Sequence, residues 1–236
     1  MAFRNDIVLE VRMLVSVLFR RISTTQRVNT LDVSEEDKPV RCWNCHHLHT
    51  DQFFCPACTS VQCIKCSTKK LNHFQVMKNE VTFDVNLPSV KQHYLKLQTE
   101  LHPDRFASRS KTERDYSNTQ SALINRAYKT LSDPLKRGLY ILGLHGYDLN
   151  PEQTETSSSD LLNEIFMMNF KVDECEDKAG LLEIQTQVIK SIDEDLADIS
   201  EKFQQQQYEM ARLALIRLKY RTNIKIKVED KLFTIG

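Results

Sequence analysis

Apolar side chains recur at helical spacing through most of the chain beyond residue 88. Val90, Tyr94, Leu97 and Leu101 follow at offsets of four, three and four, one stripe on one helix. Pro88 stands where such a helix begins, since proline suits a first turn. After a polar stretch rich in Ser, Lys and Arg, Tyr116, Leu123, Ile124, Ala127, Tyr128 and Leu131 repeat the pattern. Two such helices joined by a short loop are expected to pack antiparallel with the loop at the tip. Asp133-Pro134 reads as an N-cap and first helical position, opening a short helix with Leu135, Leu139 and Leu142 inward and an end near Gly143 to Gly146. Phe74 to Met77 is long enough for one helical turn.

Beyond a polar run from Asn150 to Ser159, three further stripes appear. Leu161, Ile165, Met168 and Val172 make the first; Leu181, Ile184, Val188, Ile192, Leu196, Ile199 and Phe203 the second; Tyr208, Ala211, Leu215 and Leu218 the third. They predict an antiparallel three-helix bundle. Two of these helices carry more apolar residues than one face needs: Leu162, Phe166 and Phe170 on the first, Leu213, Ile216 and Tyr220 on the third. Such a second face either packs on another part of the molecule or binds a partner, and periodicity does not choose between them.

The 236 residues, 41% hydrophobic with five glycines and six prolines, fit a largely helical protein of one or two modest domains. The formal net charge of zero gives no reason to expect nucleic acid or a membrane as partner. Charge is uneven, however. Residues 1–31 contain Arg4, Arg12, Arg20, Arg21 and Arg27 among serines and threonines, with no acid from Val11 to Leu31, the composition of a mitochondrial transit peptide. Asp6 and Glu10 depart from it.

Six of the seven cysteines lie between Cys42 and Cys66, in three Cys-x-x-Cys pairs. Two such knuckles complete a tetrahedral thiolate shell, and zinc is the usual occupant of a structural four-cysteine site. Cys42, Cys45, Cys55 and Cys58 are assigned to the ion, because the nine residues between these pairs suffice for a small hairpin. Cys63 and Cys66 could replace the second pair, hold a further ion with His46, His47, His49 or His73, or carry none. Disulfides are disfavoured where a targeting rather than a secretory segment leads the chain.

Between the first two long helices stands His102-Pro103-Asp104. Proline pushes its predecessor out of helical conformation, so the helix ends at Leu101 and displays an imidazole and a carboxylate. With no nucleophile nearby in sequence to make a catalytic dyad, the chain is expected not to be an enzyme. A helix, His-Pro-Asp, a longer helix containing Asn125-Arg126-Ala127-Tyr128-Lys129-Thr130-Leu131, then Ser-Asp-Pro and a short helix resemble a J domain. Arg105-Phe106-Ala107-Ser108 and Arg137-Gly138-Leu139-Tyr140-Ile141-Leu142 bring the likeness closer to the HscB family of iron–sulfur co-chaperones, whose animal members also carry a cysteine-paired module.

The resemblance implies an all-α protein: a leader over 1–37, a zinc-knuckle module over 38–70, a J domain over 71–147 with short helices flanking its hairpin, and a scaffold-binding three-helix bundle over 148–236. It implies that His102, Pro103, Asp104 and Arg105, with Lys91, His93 and Lys96, meet a mitochondrial DnaK-type chaperone and trigger its ATPase. It further implies that Leu162, Asn163, Phe166, Met167, Phe170 and Tyr220 hold the cluster scaffold, of the IscU type, in the mitochondrial matrix or a cytosolic pool. Cluster would pass to acceptor apoproteins, with structural zinc the one cofactor and no nucleotide bound by this chain. Relatives commonly have an apolar residue at position 163 and acids at positions 167 and 170, so the resemblance leaves the charged part of this contact open and implies a larger apolar part. The alternatives are a general J protein for unfolded clients and a thiol redox or iron–sulfur carrier.

Overall fold

The computed structural model describes residues 39–63, 71–147 and 159–235; the transit-peptide reading falls outside them. Among the described residues two short strands, β1 (Val40–Arg41) and β2 (Leu48–His49), pair antiparallel with Val40 opposite His49. Seven α-helices follow: α1 (His73–Val76), α2 (Leu87–Leu101), α3 (Lys111–Ser132), α4 (Pro134–Leu144), α5 (Ser159–Glu174), α6 (Lys178–Gln204) and α7 (Tyr208–Ile235), with a 3-10 turn, Pro103–Phe106, between α2 and α3. None of these helices is long and apolar enough to cross a membrane.

Local chemistry sets the helix starts. The side chains of Asn72, Asn86, Ser110, Asp133 and Asp177 each accept a backbone N–H of the first turn that follows, satisfying donors a helix cannot pair internally. The short fourth helix ends at Leu144, and Gly146 follows with φ +80°, a left-handed conformation that glycine adopts without strain.

The hairpin of α2 and α3 encloses Val90, Leu97, Leu101, Ile124, Ala127 and Leu131, all buried. Polar side chains fix its register. Tyr94 stacks on Tyr128 at 4.1 Å, and the Tyr94 hydroxyl and the Gln98 amide both donate to Asn125 Oδ1, at 3.0 and 2.6 Å.

The C-terminal helices divide between two cores. Near its start α7 contributes Ala214, Leu215 and Leu218 to the core of the hairpin module; near its end Ile224 and Val228 join Ile165, Val172, Leu181 and Val188 in a second core. Part of the surplus apolar surface on α7 is thereby explained: Ile216 is buried and Tyr220 packs on the second core. The junction is close. Phe83 stacks on Phe203 at 5.4 Å, the Arg137 guanidinium lies 4.9 Å over the Phe83 ring, and Asp84 accepts hydrogen bonds from Ser200 and Gln204 at 2.5 and 3.0 Å.

A β-carbon added to Gly138 would lie 2.5 Å from a methyl of Leu215, which is itself buried. Gly138→Ala is therefore expected to destabilise the chain by about 1–3 kcal/mol through overpacking, less any gain in helix propensity of up to ~1 kcal/mol. Urea unfolding monitored by helical circular dichroism measures it.

Candidate functional sites

The first site is the turn between α2 and α3. His102 caps the 3-10 turn, its Nδ1 facing the Asp104 backbone N–H at 3.4 Å. The Asp104 carboxylate lies 3.6 Å from that Nδ1, and its side chain is 91% exposed. Phe106 is buried beneath the turn, while Arg105 Nη1 donates to the Thr99 carbonyl at 2.8 Å, tying the turn to the last part of α2. Lys91 and Lys96 are exposed along α2. His93 is half-buried; burial, followed by Lys78, lowers its pKa, so at neutral pH it adds little positive charge to this face.

The second site is the outer face of α5. Phe166 is 68% exposed, Met167 and Phe170 52% each and Leu162 47%. Asn163 beside them is exposed, whereas Tyr220, on α7, is partly buried against the second core. The helix is pinned from behind. Arg221 reaches Glu164 at 2.9 Å, Lys227 reaches Asp173 at 2.7 Å, and Lys231 donates to the carbonyls of Val172 and Asp173 at 2.8 and 2.6 Å, a suitable cation for a helix C-terminus. Arg221 and Arg217 also meet Asp195 at 2.9 and 3.1 Å. Burial pushes the Asp195 carboxyl up, against the pull of these two guanidiniums.

The third site is built from two matching knuckles. In the first, the His46 N–H donates to the Cys42 carbonyl at 3.1 Å and the Cys42 N–H to the His47 carbonyl at 2.9 Å; in the second, Thr59 donates to Cys55 at 2.8 Å and Cys55 to Ser60 at 3.0 Å. His46 and Thr59 occupy equivalent positions, each with a left-handed φ, 62° and 58°. The knuckles bring the four sulfurs of Cys42, Cys45, Cys55 and Cys58 within 4.8 Å of one another. Cys42 to Cys58 and Cys45 to Cys55 are 3.6 Å, near the ~3.8 Å edge of a tetrahedron with metal–sulfur bonds of about 2.3 Å.

The N–H groups of Asn44 and Cys45 point at the Cys42 sulfur, at 3.3 and 3.5 Å, and so does the Gln62 amide at 3.5 Å. Such donors support a thiolate. The Ser60 hydroxyl and backbone lower the Cys58 thiol to about 6. The backbone of His47 also favours ionisation of Cys45, but burial and the three neighbouring sulfurs outweigh it and push Cys45 up to about 12. Four thiolates in this space need a cation to offset their charge, so the donor set fits a metal.

Cys63 is disulfide-bonded, a correction to the expectation that disulfides are disfavoured, and it does not join this set; Cys66 lies outside the described residues. His49 is buried away from the four-sulfur set, and His73 stacks on Tyr140 at 4.4 Å.

Hydrophobic patterning missed three polar residues that fix these sites: Glu113, Ser117 and Gln120, all buried on α3. They sit in a stretch that reads as a solvated start to a helix. Only their spacing of three and four residues, shared with Tyr116, marks a common face.

Two family profiles match the chain: the DnaJ domain over residues 72–140 and the HSCB C-terminal oligomerisation domain over residues 157–229. The iron–sulfur cluster co-chaperone protein HscB of Homo sapiens is 37% identical over 197 residues, 81% of this chain and 82% of that protein. The crystal structure of human HscB superposes with a TM-score of 0.75 at 36% identity, over 81% of this chain and 98% of that one. HscB from Vibrio cholerae superposes at 0.65 and 27% identity, over 70% and 100%. With both domains present in the same order, and a relative this similar over most of both chains, the protein belongs to the HscB family of iron–sulfur cluster co-chaperones.

Proposed function

We propose that this chain is a mitochondrial adaptor that carries the iron–sulfur scaffold protein, of the IscU type, on α5 and presents it to a DnaK-type chaperone whose ATPase the His102-Pro103-Asp104 turn triggers. The observation that carries this reading is the pairing of two unlike exposed surfaces on separate helical units, a polar turn between α2 and α3 and a bare apolar face on α5. Pro103 fixes the turn. Asp104 offers a charge-assisted acceptor, His102 a donor and Arg105 a cation, while Lys91 and Lys96 steer the encounter. Leu162, Phe166, Met167 and Phe170, with Asn163 and Tyr220 at the margin, hold the scaffold mainly by apolar burial. Holding both partners raises the effective concentration of scaffold at the chaperone. Acceptor apoproteins then receive the cluster in the matrix.

In this reading Cys42, Cys45, Cys55 and Cys58 hold a structural zinc ion, which joins the two knuckles; no nucleotide binds to the chain itself. Metal analysis of purified protein is expected to return one zinc per chain, with release increasing as pH falls and the thiolates protonate. Iron with acid-labile sulfide would overturn the assignment.

His102→Gln is expected to remove most stimulation of the chaperone ATPase while scaffold affinity stays at the wild-type value; equal stimulation by both proteins rules out the turn. Truncating an interface anchor typically costs about 2 kcal/mol or more. Leu162→Ala combined with Phe166→Ala should therefore weaken scaffold binding more than tenfold in calorimetry and leave basal ATPase stimulation intact. Stimulation greater than additive when scaffold is present separates an adaptor from a general J protein.

A further inference from the structure

A short stretch of α3 holds two parts of the molecule at once. Glu113, Tyr116, Ser117 and Gln120 lie on one helix face, and the three non-aromatic members are buried. The wholly enclosed Gln120 donates its amide to the carbonyls of Gln52, Phe53 and Gln62, at 3.3, 3.5 and 2.6 Å. Glu113 accepts the Val61 N–H at 3.4 Å. Tyr116 meets Trp43 edge to face at 5.8 Å, and Trp43 Nε1 donates to the Val61 carbonyl at 2.7 Å. All these partners belong to the cysteine module. Between them in the same stretch, Ser117 donates to the carbonyl of Leu101 at 2.9 Å, the residue immediately before His102.

The apolar contacts follow the same route. Val61 is fully buried in one core with Leu101 and Phe106. Cys55, Phe54 and Pro56 of the second knuckle line a cleft of about 470 Å³ together with Arg105, Phe106 and Arg109. The second knuckle and the two residues that follow His-Pro-Asp, Arg105 and Phe106, thus line one cleft, together with Glu113 of α3.

We propose that this face of α3 couples the cysteine module to the His102-Pro103-Asp104 turn, so that metal occupancy of Cys42, Cys45, Cys55 and Cys58 sets how tightly the turn engages the chaperone it activates, with Gln120 as the positioning residue. The inference rests on the reading of that turn as the chaperone contact. A metal ion cross-links the two knuckles and fixes the segment from Gln52 to Gln62, whose carbonyls Gln120 grips. Without the ion, that segment is held by its own backbone bonds, by Trp43 and Asn44, and by packing on α3 and the hairpin core. Because the coupling acts on the affinity of the turn for the chaperone it is reciprocal: a chaperone docked on the turn also retards loss of the metal.

The test uses the full zinc-loaded chain and a colorimetric chelator that reports the rate of zinc release. Gln120→Leu strands the buried Gln62 carbonyl and removes the weaker contacts to Gln52 and Phe53, the latter still bonded to the Gln62 N–H; it is expected to speed release about tenfold, to red-shift the emission of Trp43, the single tryptophan, and to raise the concentration of this chain that half-saturates ATPase stimulation, at unchanged scaffold affinity. Saturating chaperone is expected to slow release from the wild type but not from His102→Gln. Should Gln120→Leu fail to fold, Trp43→Phe removes one hydrogen bond and is expected to shift release and stimulation in the same directions by less. If His102→Gln abolishes stimulation while zinc release ignores both the chaperone and these variants, the coupling is wrong and the docking reading stands. If His102→Gln leaves stimulation intact, the docking reading fails and takes this inference with it.

Discussion

Leu215 presses its methyl groups against the backbone of Gly138, at the point where α7 crosses the short helix that closes the hairpin module. Because no side chain intervenes, two helices from different units approach closely enough for Ala214, Leu215 and Leu218 to enter the hairpin core. Everything beyond this contact inherits its geometry. The remainder of α7 leaves the first core and supplies Ile224 and Val228 to the second, against which α5 lies. The contact therefore joins the unit that bears the polar turn to the one that bears the apolar face. The stacked rings of Phe83 and Phe203 and the Arg137 guanidinium fill the rest of this joint.

The two exposed surfaces differ in how they are held. The turn after α2 is rigid because Pro103 restricts it, Phe106 anchors it and Arg105 ties it to Thr99. The helix that bears the apolar face, α5, packs its other side on α7, with Leu181 and Val188 of α6 in the same core, and is flanked by Arg221, Lys227 and Lys231. Lys227 and Lys231 are partly exposed, so each contributes modestly to stability and more to orientation. Arg221 is the exception. It is mostly enclosed and bridges Glu164 on α5 to Asp195 and Ser191 on α6.

Much of this was legible in the chain itself. Apolar spacing gave the helices, Asp133-Pro134 gave one N-cap, and two Cys-x-x-Cys pairs gave the four-sulfur cluster; each depends on residues close in sequence. Patterning failed where the partner was distant. Gln120 looks like any polar residue in an exposed first half of a helix, since the carbonyls it satisfies lie 58 to 68 residues away. The disulfide at Cys63 was likewise unexpected.

The sequence by itself determined the elements and the chemistry at their ends, because helix periodicity, capping and cysteine knuckles are set within a few residues. Which apolar face was core and which was surface was decided only by tertiary structure. Leu162, Phe166 and Phe170 on one helix and Leu213, Ile216 and Tyr220 on another present the same excess in sequence. Packing of α7 takes Ile216 out of solvent and partly covers Tyr220, and leaves the α5 set exposed. Burial belongs to the meeting of surfaces remote in sequence, and no local pattern contains it.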